Sequence, residues 1–484
     1  MANKNSVLLI YTGGTIGSVR KNINDPHSPL KPASPDQMLR YLPEIRDGEI
    51  YLEETSIKVD VIQTKEVFDS ALLKPEYWVE LAELIEEHYD NYLGFVILHG
   101  TDTMAYTASA LAFMIDNLEK PIILTGSQRP IGENRSDAAQ NVITAIEIAA
   151  AEAIGNTVVP EVCIYFHDSL IRGCRATKND ADGYTGFTSP NYPDLGIAGS
   201  NLEIYPELIR QASQRSLKVR KNFDRGVAVL ELSPLMSNDL FETVLNADGL
   251  SGVILKTYGA GNAPGGRFLD IIHAAIERGV RIVVVTQCHA GTVRLGHYDV
   301  STGLLERGVI SGMDMTPEAA QVKLAMLLAD SGSLYSVEEM MQINLKGEMD
   351  ESLFDMVFPG GFAVGVGEAK SEGRFPASKY FNHLNIRKAS LRISGLSFVN
   401  AENEVKVHLY LNRSGLKAET PRKGSNYIGS RTLFRGDKDD SSIFFDITSV
   451  VRKNLEEDKK NNIGIICEGA QEVNWKSMHL AIFA

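Results

Sequence analysis

Three short apolar runs in the first quarter of the chain each stop abruptly in glycine, threonine and other polar residues, and this most constrains the fold. Val7–Tyr11 ends in Thr12-Gly13-Gly14-Thr15, Phe95–Leu98 in His99-Gly100-Thr101-Asp102, and Ile122–Leu124 in Thr125-Gly126-Ser127-Gln128. A continuous apolar run of this length, bounded by turn residues, reads as a strand buried on both faces, which belongs to a parallel α/β sheet. Between the runs, Met104, Ala108, Leu111, Ile115 and Leu118 recur at spacings of three and four and predict one apolar helix face. Ser136 is placed to cap the next helix, which the alanine-rich stretch carries to Ala153. Ligands of open α/β sheets collect where strands turn into helices, so the three polar tails are expected to share one cleft.

A chain of 484 residues exceeds one hydrophobic core, and the pattern divides it. Strand–helix alternation resumes with Val227–Leu232, Gly252–Leu255 and Ile282–Val285, with a helical pattern over Leu269–Ile276, predicting a second α/β lobe. Gly360-Gly361 and Gly365–Gly367, followed by charged Glu368–Arg374, read as a linker. Beyond it the period becomes two. Val405, Val407, Leu409 and Leu411 alternate with Lys406, His408 and Tyr410, Ile443, Phe445 and Ile447 repeat the pattern, and Asn412–Gly415 reads as a turn, so a small β-sandwich is expected. The expected domains are therefore residues 1–210, 225–365 and 376–484.

Charge supports that division. The net charge of −14 disfavours a phosphate backbone as partner, yet residues 376–484 carry 17 Lys+Arg against 12 Asp+Glu, a net of +5, leaving −19 on the first 375. Cys163, Cys174, Cys288 and Cys467 form no CxxC pair, so reduced thiols and a cytoplasmic setting are expected. No apolar stretch reaches membrane-helix length, and Val7–Tyr11 is too short for a signal peptide. None of the ten histidines forms an H-E-x-x-H pair; no metal and no cofactor are expected, with His99 a packed polar residue.

The segment Tyr11–Gly17 lacks both a Walker lysine and the G-x-G-x-x-G spacing, which argues against a nucleotide loop. Two adjacent glycines instead let backbone amides approach a ligand, with the Thr15 hydroxyl beside them. Threonine or aspartate before a helix is commonly only a cap. Three such strand ends together with Arg175-Ala176-Thr177-Lys178 offer more polar groups than turns need.

Taken in order, Thr12–Gly17, Gly94–Leu111, Thr125–Gln128, Arg135-Ser136-Asp137, Thr177-Lys178 and Tyr258–Pro264 resemble the signatures of the bacterial-type L-asparaginases, in particular the cytoplasmic type I enzymes, over residues 5–355. The resemblance implies a two-lobed α/β fold, here followed by an all-β module, that hydrolyses asparagine to aspartate and ammonia. It implies Thr15 as nucleophile, with Thr101, Asp102 and Lys178 as a second catalytic cluster. Ser70, preceded by Asp69, matches the residue that holds the substrate α-carboxylate, Asp102 the one that receives the α-ammonium, and Gly14 lines the substrate site. The amides of Gly14 and Thr101 are candidate oxyanion donors. Thr177 and Cys288 match an effector site whose arginine is replaced here by Lys256. The family also implies a homodimer or homotetramer with the active site at a subunit contact. Two departures stand out: Gly17–Pro32 contains no tyrosine where many relatives place one, and Ala71 follows Ser70 where relatives often carry a polar residue. Two rival readings are an ammonia-supplying subunit of a tRNA-dependent amidotransferase and a non-catalytic amino-acid sensor.

Overall fold

The computed structural model describes residues 5–22, 25, 27–213, 215–295, 299–330, 336–350, 354–364, 374–376, 388–413, 416, 420–434, 441–454 and 460–483. The first lobe is built on strands β1 (Ser6–Gly13), β2 (Glu49–Leu52), β3 (Thr55–Phe68), β4 (Gly94–Leu98), β5 (Ile122–Thr125), β6 (Val162–Phe166), β7 (Ser169–Arg172), β8 (Gly196–Ala198) and β9 (Leu202–Ile204). They form one nine-stranded sheet in the order β9-β8-β7-β6-β5-β4-β1-β3-β2. Its centre, β3-β1-β4-β5-β6, is parallel. The apolar runs are the inner strands, with β1, β4 and β5 buried along their whole length as their continuous hydrophobicity requires. From β1 the chain adds β3 on one side and then β4 on the other, so the carboxyl end of β1 faces the crevice where the strand order reverses.

Helix α1 (Pro75–His88) precedes β4, α2 (Met104–Met114) leaves it, and α3 (Ala138–Ala149) leads toward β6. Helix α2 departs from the expected single apolar face: every residue except Tyr106 is buried, because Ala319, Val322 and Met326 of the second lobe's helix α5 (Pro317–Ala329) join the core around it. Ile115 and Leu118 lie beyond its end. Helix α3 starts at Ala138 with Asp137 in the cap position and stops at Ala149; the Ser136 hydroxyl accepts the Ala138 N–H at 3.1 Å.

The second lobe is a parallel four-stranded sheet, β10 (Val227–Glu231), β11 (Gly252–Thr257), β12 (Arg281–Thr286) and β13 (Ile310–Ser311), with α4 (Arg267–Glu277) between β11 and β12. The segment following α5 is fastened by a fully buried pair, Lys323 Nζ to Glu348 Oε1 at 2.6 Å. Lys323 also donates to the carbonyls of Met341 and Ile343, and Glu348 accepts the N–H groups of Leu345 and Lys346. The charge pair satisfies backbone groups that a buried segment would otherwise leave bare.

The C-terminal strands form two antiparallel four-stranded sheets around one core. Phe354–Val364 does not act as a linker: it pairs antiparallel with Glu472–Phe483 from Phe354↔Ile482 to Val364↔Glu472. The chain thus enters these sheets within the stretch expected to close the second lobe, and residues 365–373 of the expected linker fall outside the described residues. Val405, Val407, Leu409 and Leu411 face the core as the alternation predicts, but His408 and Tyr410 on the opposite face are buried as well. Leu416, Ile466 and Tyr427 cover that face, and Ser414 and Gly415 of the predicted turn fall outside the described residues.

Candidate active site

The glycines at the strand ends are required by close approach. Gly13 and Gly14 have φ of 117° and 81°, in the region that side chains disfavour. A Cβ on Gly13 would collide with the Phe68 carbonyl, and one on Gly14 would meet the Gly100 backbone at 2.5 Å. A Cβ on Gly100 would in turn meet Ser70 Oγ at 2.5 Å. The ends of β1, β3 and β4 are therefore pressed together, and Thr15 and Thr101 each follow directly on the Gly14–Gly100 contact. Thr15 opens a short 3-10 turn and is half-buried. Thr12, one turn earlier, is a stitch between strands, its hydroxyl donating to the Leu98 carbonyl at 2.9 Å.

Lys178 comes from a two-residue strand, Thr177–Lys178, that pairs with Phe187–Thr188. Its Nζ donates to Thr101 Oγ1 at 2.9 Å and to Asp102 Oδ1 at 2.7 Å. Thr101 is buried, while the side chains of Lys178 and Asp102 are 21% and 62% exposed, so the cluster spans the boundary between core and solvent. The lysine segment is anchored to the second lobe by Arg175, which donates to Asp314 Oδ2 at 2.6 Å and to the Gly347 carbonyl at 2.7 Å. Asp137 holds the loop after β5, accepting the N–H groups of Gln128 at 3.0 Å and Arg129 at 3.2 Å.

His99 is buried between Thr107 and its own loop. Its Nδ1 lies 2.7 Å from the Gly100 carbonyl, which accepts only, so Nδ1 carries the proton; Nε2 then accepts from the Thr107 hydroxyl at 3.0 Å. Trp78 Nε1 donates to the same hydroxyl at 3.0 Å. Burial pushes the imidazole down to about 4, which keeps it neutral and in this tautomer near neutral pH.

Of the substrate-contact candidates, Ser70 is buried and its carbonyl accepts from Thr103 Oγ1 at 2.9 Å, while exposed Asp69 caps the Ala71 N–H at 3.0 Å. The Gly14 N–H reaches the Phe68 carbonyl at 3.3 Å, a long bond. The segment without a tyrosine pairs Ser18–Arg20 with Leu30–Pro32 as a hairpin, and Arg20 forms an ion pair with Glu133. Tyr11 lies close by, but its hydroxyl donates to the Gly17 carbonyl at 3.0 Å and burial raises it to about 12, so it stays protonated.

Among the residues matched to an effector site, Thr177 donates to Glu318 Oε1 at 2.8 Å, Lys256 pairs with Glu231 at 2.6 Å, and Cys288 is exposed. Glu318 is what sequence reasoning missed. It follows the proline that opens α5, where an acidic residue reads simply as favourable to the helix dipole, yet it crosses the lobe boundary to the residue next to Lys178. Burial raises its pKa, the charge on Lys256 opposes that rise, and its Oε2 has no hydrogen-bond partner among the described residues. Among the described residues no group of three or more His, Cys, Asp or Glu could hold a metal ion, and no helix is long and apolar enough to cross a membrane.

Comparison with known proteins follows the same division of the chain. Residues 6–210 match the family described as "Asparaginase, N-terminal" and residues 226–341 the "Glutaminase/Asparaginase C-terminal domain". L-asparaginase 1 of Escherichia coli (strain K12) is 38% identical over 347 residues, covering 72% of this chain and 98% of that protein. The 60 kDa lysophospholipase of Homo sapiens is 38% identical over 362 residues, 71% of this chain and 61% of that protein. The crystal structure of L-asparaginase I from Vibrio cholerae superposes with a TM-score of 0.63 at 38% identity, covering 72% of this chain and 99% of that one.

Proposed function

The chain belongs to the asparaginase family, and from that premise we propose that it hydrolyses L-asparagine to L-aspartate and ammonia through Thr15. The observation that carries the reading is the Lys178 amine within hydrogen-bond distance of both Thr101 Oγ1 and Asp102 Oδ1. A protonated lysine only donates; once it gives up a proton, its lone pair is directed at a hydroxyl already in place. The same reading assigns the substrate α-carboxylate to Ser70 and the α-ammonium to Asp102, with Asp69 and Gly14 lining the substrate site.

In the first half-reaction the Thr15 hydroxyl oxygen bonds to the carboxamide carbon and its proton passes toward the Thr101–Lys178 pair. The resulting oxyanion is received by the amides of Thr101 and Gly14, the latter leaving its long bond to Phe68. Collapse breaks the C–N bond, the nitrogen takes a proton, and ammonia departs from an acyl ester on Thr15. Water then attacks the ester, regenerating the hydroxyl and releasing aspartate. Lysine serves as the proton acceptor because the flanking segment has no tyrosine and Tyr11 is held protonated. The enzyme acts as a cytoplasmic homo-oligomer.

The test is ammonia production from asparagine and from glutamine measured side by side, each with and without aspartyl-tRNA, for the wild-type chain and for Thr15→Ala. Release from asparagine that disappears in a folded Thr15→Ala protein, with an acyl adduct on Thr15 in the wild-type mass spectrum, is the expected result. Hydrolysis of the amide donor that requires the aminoacyl-tRNA would establish the amidotransferase reading, and binding of asparagine without turnover the sensor reading.

A further inference from the structure

A cleft of about 550 Å³ opens at the end of the first lobe opposite the catalytic cluster. It is bounded by the residues after α2, by the entry into β6, by the Arg210–Lys218 segment and by Leu345-Lys346 of the second lobe. Helix α2 leaves the catalytic loop at Met104 and reaches the cleft at its other end, a separation of about 16 Å for its 11 residues.

The charge of this cleft opposes that of the chain. Among the described residues, Arg172, Arg210, Arg215, Lys218, Arg220 and Lys346 line it against two carboxylates, Asp116 and Glu161, a local net of +4 in a protein of net −14. Both carboxylates are fully engaged. Glu161 takes Arg172 in a two-pronged contact at 2.6 and 3.1 Å and also accepts the Arg210 N–H at 2.8 Å. Asp116 is shared between Arg220 at 2.9 Å and Lys346 at 2.8 Å. Lys346 is further held by the Ile115 carbonyl, and its backbone by the buried Lys323–Glu348 pair. Exposed Arg215 and Lys218 have no ion-pair partner among the described residues. The result is a rigid, cation-lined wall with surplus positive charge at its mouth.

We propose that this cleft is a binding site for a compact polyphosphate-bearing small molecule. Guanidinium forks and ammonium groups converging on a concavity of this size suit several closely spaced anionic oxygens. Among the described residues no aromatic side chain lines it, so recognition falls on the phosphates and a nucleobase has nothing to stack on. A single carboxylate or halide would leave most of the local surplus of +4 unmatched.

The experiment is calorimetric titration of the full-length chain with inorganic pyrophosphate and with ATP, at low and at raised salt. One saturating site per chain is expected for both, weakened by salt, with ATP gaining nothing from its base. Arg215→Glu/Lys218→Glu weakens binding about tenfold or more, since it replaces the two cations at the mouth by carboxylates that repel phosphate. Arg267→Glu/Lys423→Glu, which makes the same change of net charge at exposed positions elsewhere, leaves it unchanged. Asparagine hydrolysis and circular dichroism confirm that each variant is folded. Equal binding by both double variants, or no saturable binding by the wild type, overturns the proposal. So does a fall in light-scattering mass for Arg215→Glu/Lys218→Glu in a protein that binds neither anion, which would make the cleft a contact between subunits.

Discussion

The N-terminal lobe and the C-terminal sheets are both rich in strand, yet they place their information differently. In β1, β4 and β5 the strand body is uniformly buried and the residues with chemistry stand just past its end. In the C-terminal sheets the body alternates, and nearly every inward residue, from Leu391 and Val407 to Trp475 and Leu480, closes one core. A change at a strand end of the first lobe should therefore cost chemistry and little stability. A change in mid-strand of the C-terminal sheets should do the reverse.

The widest separation is expected between Thr15→Ala or Lys178→Met and Leu409→Ala. Loss of the proposed nucleophile or of its proposed proton partner is expected to lower kcat by at least about a thousandfold while the unfolding midpoint moves little. Leu409 is wholly buried in the C-terminal core, so its truncation should cost about 2–5 kcal/mol in the unfolding of those sheets and leave turnover intact. Steady-state ammonia release beside urea unfolding checks both. Unfolding of Thr15→Ala, or an inactive but folded Leu409→Ala, would break the comparison.

Acid should separate the regions next. His99 titrates near 4 in the folded lobe against an ordinary 6.5. Between these values the unfolded chain binds a proton that the native lobe refuses, so stability falls as pH drops from 6.5 to 4, by about 3 kcal/mol in all. His408 in the C-terminal sheets is also lowered by burial, but Glu468 at 3.3 Å opposes the shift. The chain's two tryptophans report the regions separately, since Trp78 bonds to Thr107 beside His99 and Trp475 lies in the C-terminal core. With Trp475→Phe and Trp78→Phe as single-reporter proteins, the Trp78 urea midpoint is expected to fall more steeply between pH 6.5 and 4. Identical slopes would remove His99 as the cause.

What was legible in the sequence follows the same line. Uninterrupted apolar runs and abrupt glycines specify inner parallel strands and their close-packed ends, and the period-two pattern specifies the sandwich, because both signals are local. The meeting of Lys178 with Thr101 and Asp102 spans more than seventy residues and became visible through the family resemblance, with no periodicity to reveal it. Glu318 was invisible because its partner, Thr177, belongs to the other lobe. Gly360 and Gly361 misled as linker residues, since they lie within a strand whose ladder to Glu472–Phe483 continues on both sides of Gly360, from Pro359↔Ser477 to Gly361↔Trp475.

That last correction changes where the chain should be cut. A protein ending at Glu368 would keep Phe354–Val364 after removal of its partner strand, leaving a long unpaired edge that invites association. One ending at Asp350 retains both asparaginase lobes and the Lys323–Glu348 fastening. We expect the shorter protein to hydrolyse asparagine and to show one defined mass by light scattering, and the longer one to aggregate. With the cut at Asp350, residues 351–484 carry a net of +3 beside −17 on the first 350, which also suggests a salt-sensitive contact between them, so the mass of the full-length protein should depend on ionic strength more than that of the shorter one. A folded but inactive protein ending at Asp350 would place part of the active site in the C-terminal sheets.

The smallest effect is expected at Lys256. The family resemblance places an arginine of an effector site here, where a guanidinium fork would grip a carboxylate through two parallel bonds. Lysine keeps the charge without the fork, and in this structure its amine is already taken by Glu231 at 2.6 Å. Thr177, the neighbouring position of that site, gives its hydroxyl to Glu318, and the charge on Lys256 is felt by the same carboxyl. Thr177 and Glu318 thus join the lobes by a hydrogen bond while Glu231 holds Lys256 beside them, which leaves a second asparagine little to displace them for. The dependence of rate on asparagine should be hyperbolic in the wild type and remain so in Lys256→Ala, with KM changed by less than about twofold. Lys256→Arg restores the fork and is the sharper arm, since sigmoidal kinetics appearing only there would show the remaining site intact and the lysine responsible for its silence. A steeply sigmoidal wild-type curve that Lys256→Ala straightens would instead show the effector site working with lysine, and the two lobes coupled through it.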